Sequence, residues 1–201
     1  MKQAFEIKDK KVIQRVLDNA EYGILALCAD DVPYSVPVNF VALNDVIYFH
    51  GAYKGRKMST IAQNAKVSFS VVENYSLIQS YFSSTEGLAC PATQFFKSVI
   101  IDGEAVVVES REEKAMMFKA LMQKLQPEGK YLSFNEEAYD KAIKGTAVVK
   151  IVVSEMRAKF KFGQHLNTER FEMIVKHLEE RGEEKDLETI SLMDEMKKYS
   201  L

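Results

Sequence analysis

The chain has 201 residues, 47% of them hydrophobic and 28% charged, enough to bury a core and suited to one domain of moderate size. Its 27 basic and 29 acidic residues leave a net charge of -2, which argues against a general nucleic-acid binder. The two cysteines, Cys28 and Cys90, are far apart and outside any CxxC pair, which argues against a disulfide framework and a structural zinc site, and no apolar run reaches membrane-span length.

In chain order, Asp9 caps an expected first helix with Val12, Ile13, Val16 and Leu17 on one stripe, stopped by Gly23. Three strands follow over Gly23–Cys28, Pro33–Leu43 and Val46–Gly51, rich in β-branched and aromatic residues. Polar turns at Ala29-Asp30-Asp31 and Asn44-Asp45 separate them and make the set antiparallel. Pro33 and Pro37 cannot donate to a ladder, so the second strand is expected at an edge or bulged near Pro37. A short helix is expected over Gly55–Ala65 and a strand over Lys66–Val72. Glu73–Gln94 carries no firm pattern, and such long connections are often functional. Ser98–Glu109 reads as a strand with a turn or bulge at Asp102-Gly103, and Arg111–Leu125 as a helix facing inward through Ala115, Phe118, Leu121, Met122 and Leu125. A short helix over Glu136–Lys144 and one bent strand or two strands over Thr146–Phe162 complete the body. The tail holds an amphipathic helix over Thr168–Glu180, ended by Gly182, and a weaker one over Leu187–Lys198. Together these elements predict a mainly β protein, a six-stranded antiparallel barrel with peripheral helices.

The segment Tyr48–Lys57, YFHGAYKGRK, carries the chemistry. It runs a strand through a glycine-containing turn into a helix. Gly51, Ala52 and Gly55 permit close backbone approach, and Arg56 and Lys57 put two cations at the helix start. Free N–H groups, the positive end of the helix and two basic side chains make a phosphate site. The spacing fits neither a P-loop nor a dinucleotide-binding fingerprint. Read on composition alone, the same residues also describe a solvated helix start.

Three motifs, PYSVPVNF, YFHGAYKGRK and FFKSVIIDG, occur in the order and spacing of the FMN-binding split barrels, and the chain resembles that superfamily across roughly Asp9–Val153. More narrowly it is similar to the nitroimidazole-resistance subgroup. The resemblance implies a split β-barrel over residues 1–165 with a C-terminal helical extension over 166–201, and FMN as cofactor. It makes Arg56 and Lys57 the phosphate ligands, and places His50, Gly51 and Ala52 along the flavin and its ribityl chain. Pro37, Val38 and Asn39 would pass the isoalloxazine edge. Lys97 and Ser98 stand where pyridoxamine phosphate oxidases carry Arg-Gln, and Gln164 lies where those oxidases carry an Arg-rich substrate motif. Those departures weigh against pyridoxamine phosphate oxidation itself. His50 is the catalytic candidate, next to a structural role for the same residue. The resemblance also implies a homodimer with the cofactor at its interface.

The expected activity is flavin-dependent reduction of a small organic acceptor, nitroaromatic compounds among them. Haem binding or degradation, with His165 or His50 as axial ligand, and a non-catalytic flavin sensor or regulator remain open beside it. His177 is expected to be solvated, and Cys28 and Cys90 to be small buried hydrophobes. Tyr75, Tyr81, Phe82, Phe95 and Phe96 wall a planar cofactor or pack an interface. Met116, Met117, Phe118 and Met122 are expected in the core. The charged start of the chain has no signal-peptide apolar stretch, which with the cysteine usage points to the cytoplasm, with no nucleic-acid or membrane partner.

Overall fold

The computed structural model describes residues 3–199. Its strands are β1 (Glu6–Ile7), β2 (Gly23–Ala29), β3 (Val32–Val38), β4 (Phe40–Leu43), β5 (Val46–Gly51), β6 (Lys66–Ile78), β7 (Thr93–Val108) and β8 (Ala147–Lys161). Its helices are α1 (Lys10–Asn19), α2 (Arg56–Gln63), α3 (Arg111–Leu125), α4 (Asp140–Gly145), α5 (Thr168–Arg181) and α6 (Asp186–Met196). The strands run in the order β3-β2-β6-β7-β8-β5-β4, with β1 beside β8, and the order does not close on itself.

Among the described residues there are eight strands rather than the expected six, for two local reasons. The run Pro33–Leu43 breaks at Asn39 into β3 and β4, where the Asn39 side-chain amide donates to the Glu21 carbonyl at 3.1 Å. The two-residue β1 is too short to display any alternation. β3 ends the sheet order, so Pro33 and Pro37 lie on an edge strand where a missing N–H costs no ladder bond. The hairpin β2–β3 turns through Asp30 and Asp31 and the hairpin β4–β5 through Asn44 and Asp45, all four at positive φ. Successive left-handed residues match the twist of the strands they join, and Asn and Asp tolerate them best.

Contacts divide the chain into two compact units. One comprises residues 10–71 and 99–156 and holds α1 to α4. Leu17, Leu25, Phe40, Ile47, Phe49, Phe69, Ile101 and Met117 are among its largest fully buried side chains. In it α3 lies over Val41, Tyr48 and Val148 through Met117 and Leu121, and the Tyr48 hydroxyl and Lys150 both bond Glu113, at 2.9 and 2.8 Å. Burial and the Glu113 carboxylate push the Tyr48 phenol up to about 12. Met117 is fully buried as expected, whereas Met116 and Leu125 face solvent.

The other unit comprises the stretch up to Asp9, Val72–Ser98 and the chain from Arg157 onward. Its core gathers Ile78, Phe82, Phe95, Phe160, Phe162, Ile174 and Leu178. The segment expected to be irregular here continues β6 to Ile78 and begins β7 at Thr93. A polar latch fixes the tail: Arg181 bonds Asp186 through two nitrogens, at 2.9 and 2.6 Å, and the Ser76 hydroxyl donates to the same carboxylate at 2.6 Å. Gly182 ends α5 as expected, in a left-handed cap at φ 63. Among the described residues no helix is long and apolar enough to cross a membrane.

Candidate functional site

The junction between β5 and α2 is built by a conflict between pairing and helix formation. β5 pairs with β4 as far as Phe49 and with β8 as far as Gly51, opposite Ala147. The chain then leaves the sheet, and Gly55 turns it into α2 at φ 113, a value that side-chain-bearing residues rarely adopt. No side chain caps α2 and its first turn holds no acidic residue. Its first N–H groups therefore have no intrahelical acceptor, and the positive end of the helix stands beside Arg56 and Lys57.

The two cations are held differently. Arg56 is exposed, its guanidinium 4.4 Å above the Tyr34 ring and 3.5 Å from the Pro33 carbonyl. Lys57 is half-buried, donates to the His50 carbonyl at 3.4 Å and lies 5.0 Å from the Phe49 ring centre. Burial lowers its pKa. A Cβ on Gly51 would come within 2.9 Å of the Lys57 nitrogen, so the glycine makes room for the ammonium.

His50 lies between these groups and α3, its ring 5.7 Å from Phe118 in edge contact. Its Nδ1 is buried without a hydrogen-bond partner. Burial first, and the charge of Lys57 second, hold the imidazole below its ordinary pKa. At neutral pH it is uncharged, with one ring nitrogen available as an acceptor. A buried polar atom without a partner costs free energy that a ligand can recover.

The other sequence candidates have definite places. Pro37, on β3, is exposed opposite Ile24, Val38 is buried opposite Gly23, and Asn39 bonds the Glu21 carbonyl. Ala52 is exposed in the loop after β5. It is the start of β3, through Pro33 and Tyr34, that meets Arg56. That platform was missed because nothing local links Tyr34 to a cation more than twenty positions later.

Lys97, Ser98 and Gln164 belong to the second unit. Lys97 donates to the Tyr75 hydroxyl at 2.7 Å and lies 3.9 Å from Glu73. Burial, followed by the charges of Glu73 and Glu188, raises the Tyr75 pKa. Burial also raises that of Glu73, against the opposing charge of Lys97. Ser98 is buried on β7. Gln164 accepts from the Phe162 N–H and donates to the Phe160 carbonyl, both at 2.7 Å, closing the end of β8.

Three expectations change. Cys28 and Cys90 are exposed rather than buried. Cys28 takes the outward place in the alternation of β2, and Cys90 lies in the loop before β7. His177 is half-buried and stacks on Phe82 at 4.8 Å rather than standing in solvent. Of the aromatic group, Tyr75 and Phe95 pack on Phe162 and Tyr81 on Phe82. His165 is exposed, in edge contact with Phe5 at 5.2 Å. Among the described residues no cluster of histidine, cysteine and carboxylates could hold a metal ion.

No curated protein sequence matches the chain. Among solved structures, it is similar to a candidate 5-nitroimidazole antibiotic resistance protein from Bacteroides thetaiotaomicron, with 22% identity over 77% of this chain and 85% of that one, at a TM-score of 0.63. It is also similar to a flavocytochrome from Azotobacter vinelandii, with 22% identity over 78% and 69% at a TM-score of 0.65. An FAD- and haem-binding protein from Mycobacterium smegmatis aligns with 17% identity over 78% and 73%, at a TM-score of 0.63. At these identities the likeness is one of fold, an open, mostly antiparallel split barrel. The family described as pyridoxamine 5'-phosphate oxidase matches residues 9–160, most of the chain and all of the β5–α2 junction, and the chain belongs to that family of split barrels.

Proposed function

We propose that the chain binds FMN at the β5–α2 junction and serves as a flavin-dependent oxidoreductase for a small organic acceptor. The observation that carries the reading is the pairing of Arg56 and Lys57 with an uncapped, acid-free helix start beside the unpartnered Nδ1 of His50. A phosphate monoester suits that set. Two cations and free N–H groups meet its charge, while the glycines at 51 and 55 let the backbone come close. Bound there, the flavin would supply the electron transfer, and the protein supplies position, charge and access. Arg56, kept in place by Tyr34, and Lys57 hold the phosphate end. His50, neutral and packed against Phe118, would exchange a hydrogen bond with the ligand through its imidazole. Family membership and the FAD- and haem-binding relatives support flavin as the ligand class. The physiological form proposed is a cytoplasmic homodimer with the cofactor at its interface.

The test is a comparison of FMN with riboflavin, which lacks the phosphate. The wild-type protein should prefer FMN, and R56A/K57A should lose most of that preference while riboflavin affinity stays unchanged. Each charge-assisted bond contributes about 1.5–3 kcal/mol, so the double variant should weaken FMN by at least about a hundredfold. Unchanged FMN affinity in the double variant overturns the assignment.

A further inference from the structure

We infer that a cavity at the start of α3 is a second oxyanion site, distinct from the cation pair of α2, that takes a small carboxylate or phosphate group. The cavity has a volume of about 430 Å³ and is lined by Tyr53, Glu109, Arg111, Lys114, Asp140 and Lys144. That volume lies in the ordinary range for small-molecule sites.

The central observation is Lys114. Its side chain comes from the inward face of α3, one turn before Phe118, and the residue is only 4% exposed. A buried ammonium is costly unless it is paired. Yet its hydrogen-bond partners are both neutral: the Tyr53 hydroxyl at 2.6 Å and the Thr146 carbonyl at 3.2 Å. An ammonium has three donors, and these two bonds leave one. Of the two lining carboxylates, Asp140 is engaged, accepting from Arg111 at 2.7 Å, and Glu109 is exposed. Three cations thus line the cavity against two carboxylates. An anion entering it would take the third proton of Lys114 and meet Arg111 and Lys144 at the rim. Tyr53 belongs to the loop that leads into α2, so the two sites share a loop without sharing a cation. This site stands on geometry of its own and does not require that flavin binds.

The test uses the full-length chain carrying R56A/K57A, which removes the α2 cations, and follows heat of binding with inorganic phosphate and, separately, acetate. The folded double variant should still bind one phosphate or acetate per chain, and the probe bound more tightly identifies the preferred group. Adding Lys114→Met, which keeps the buried methylenes, should weaken that binding by about tenfold or more. Adding Tyr53→Phe instead removes a competing acceptor and keeps the ring, so binding should persist or tighten. Absence of binding of both probes by R56A/K57A overturns the inference, as does binding unaffected by Lys114→Met. If Lys114→Met fails to fold, Tyr53→Phe decides: loss of binding there makes Lys114 a structural tether for Tyr53 and overturns the site.

Discussion

His50 sits near the end of β5, paired there with β8 alone, against the Phe118 ring and close to Lys57, and burial together with the Lys57 charge disfavours its charged form. Burial is the larger cause and Lys57 the smaller, which makes the residue testable by titration. Its pKa, followed by NMR of the ring protons, should lie below the ordinary 6.5. Lys57→Met should move it part of the way back and leave it still depressed. Because the unfolded chain takes up this proton first as pH falls, the contribution of neutral His50 to stability is full above pH 6.5. That contribution is lost as pH falls through the folded-state value. A titration at or above 6.5 in the folded protein would contradict the buried, unpartnered placement of the ring. The histidine and the two cations were legible because they stand together in ten residues of sequence. Tyr34 and Phe118, which hold two of them in place, were not, because only strand pairing and helix docking bring them near.

At the scale of elements, strands were readable wherever one face is buried, as in β2, where Gly23, Leu25 and Leu27 point inward and their neighbours outward. The signal failed where a buried position is polar. Ser76 is buried on β6, but its hydroxyl bonds Asp186 and Thr189, more than a hundred residues away, so no local pattern marks Glu73–Ile78 as strand. Asp102-Gly103 misled in the other direction. Such a dipeptide commonly marks a hairpin turn, but of the expected turn or bulge no turn forms, and β7 continues through both residues. Glycine is needed there because a Cβ would fall 2.3 Å from the Val152 carbonyl oxygen of β8. Backbone on a neighbouring strand cannot swing aside as a side chain can. Gly103→Ala should therefore cost about 1–3 kcal/mol, the usual range for overpacking, and lower the thermal midpoint by several degrees. A variant melting with the wild type would show that β7 and β8 do not approach so closely.

For the whole molecule, the family match ends at residue 160, at the close of β8, and α5 and α6 lie beyond it. Those helices are tied to β6 by the Arg181–Asp186–Ser76 latch and bury Phe171, Ile174, Leu178, Met193 and Met196. Most of the order of strands and helices was legible from the start, because the longer elements carry their own period. The central claim nevertheless concerns the ligand, and the most direct measurement is the visible absorption spectrum of the purified protein before and after adding FMN, followed by removal of free ligand. The account predicts a retained two-band flavin spectrum from the wild-type protein and its loss from R56A/K57A. A protein that retains no flavin, and instead gives a sharp Soret band on adding haem, would contradict it.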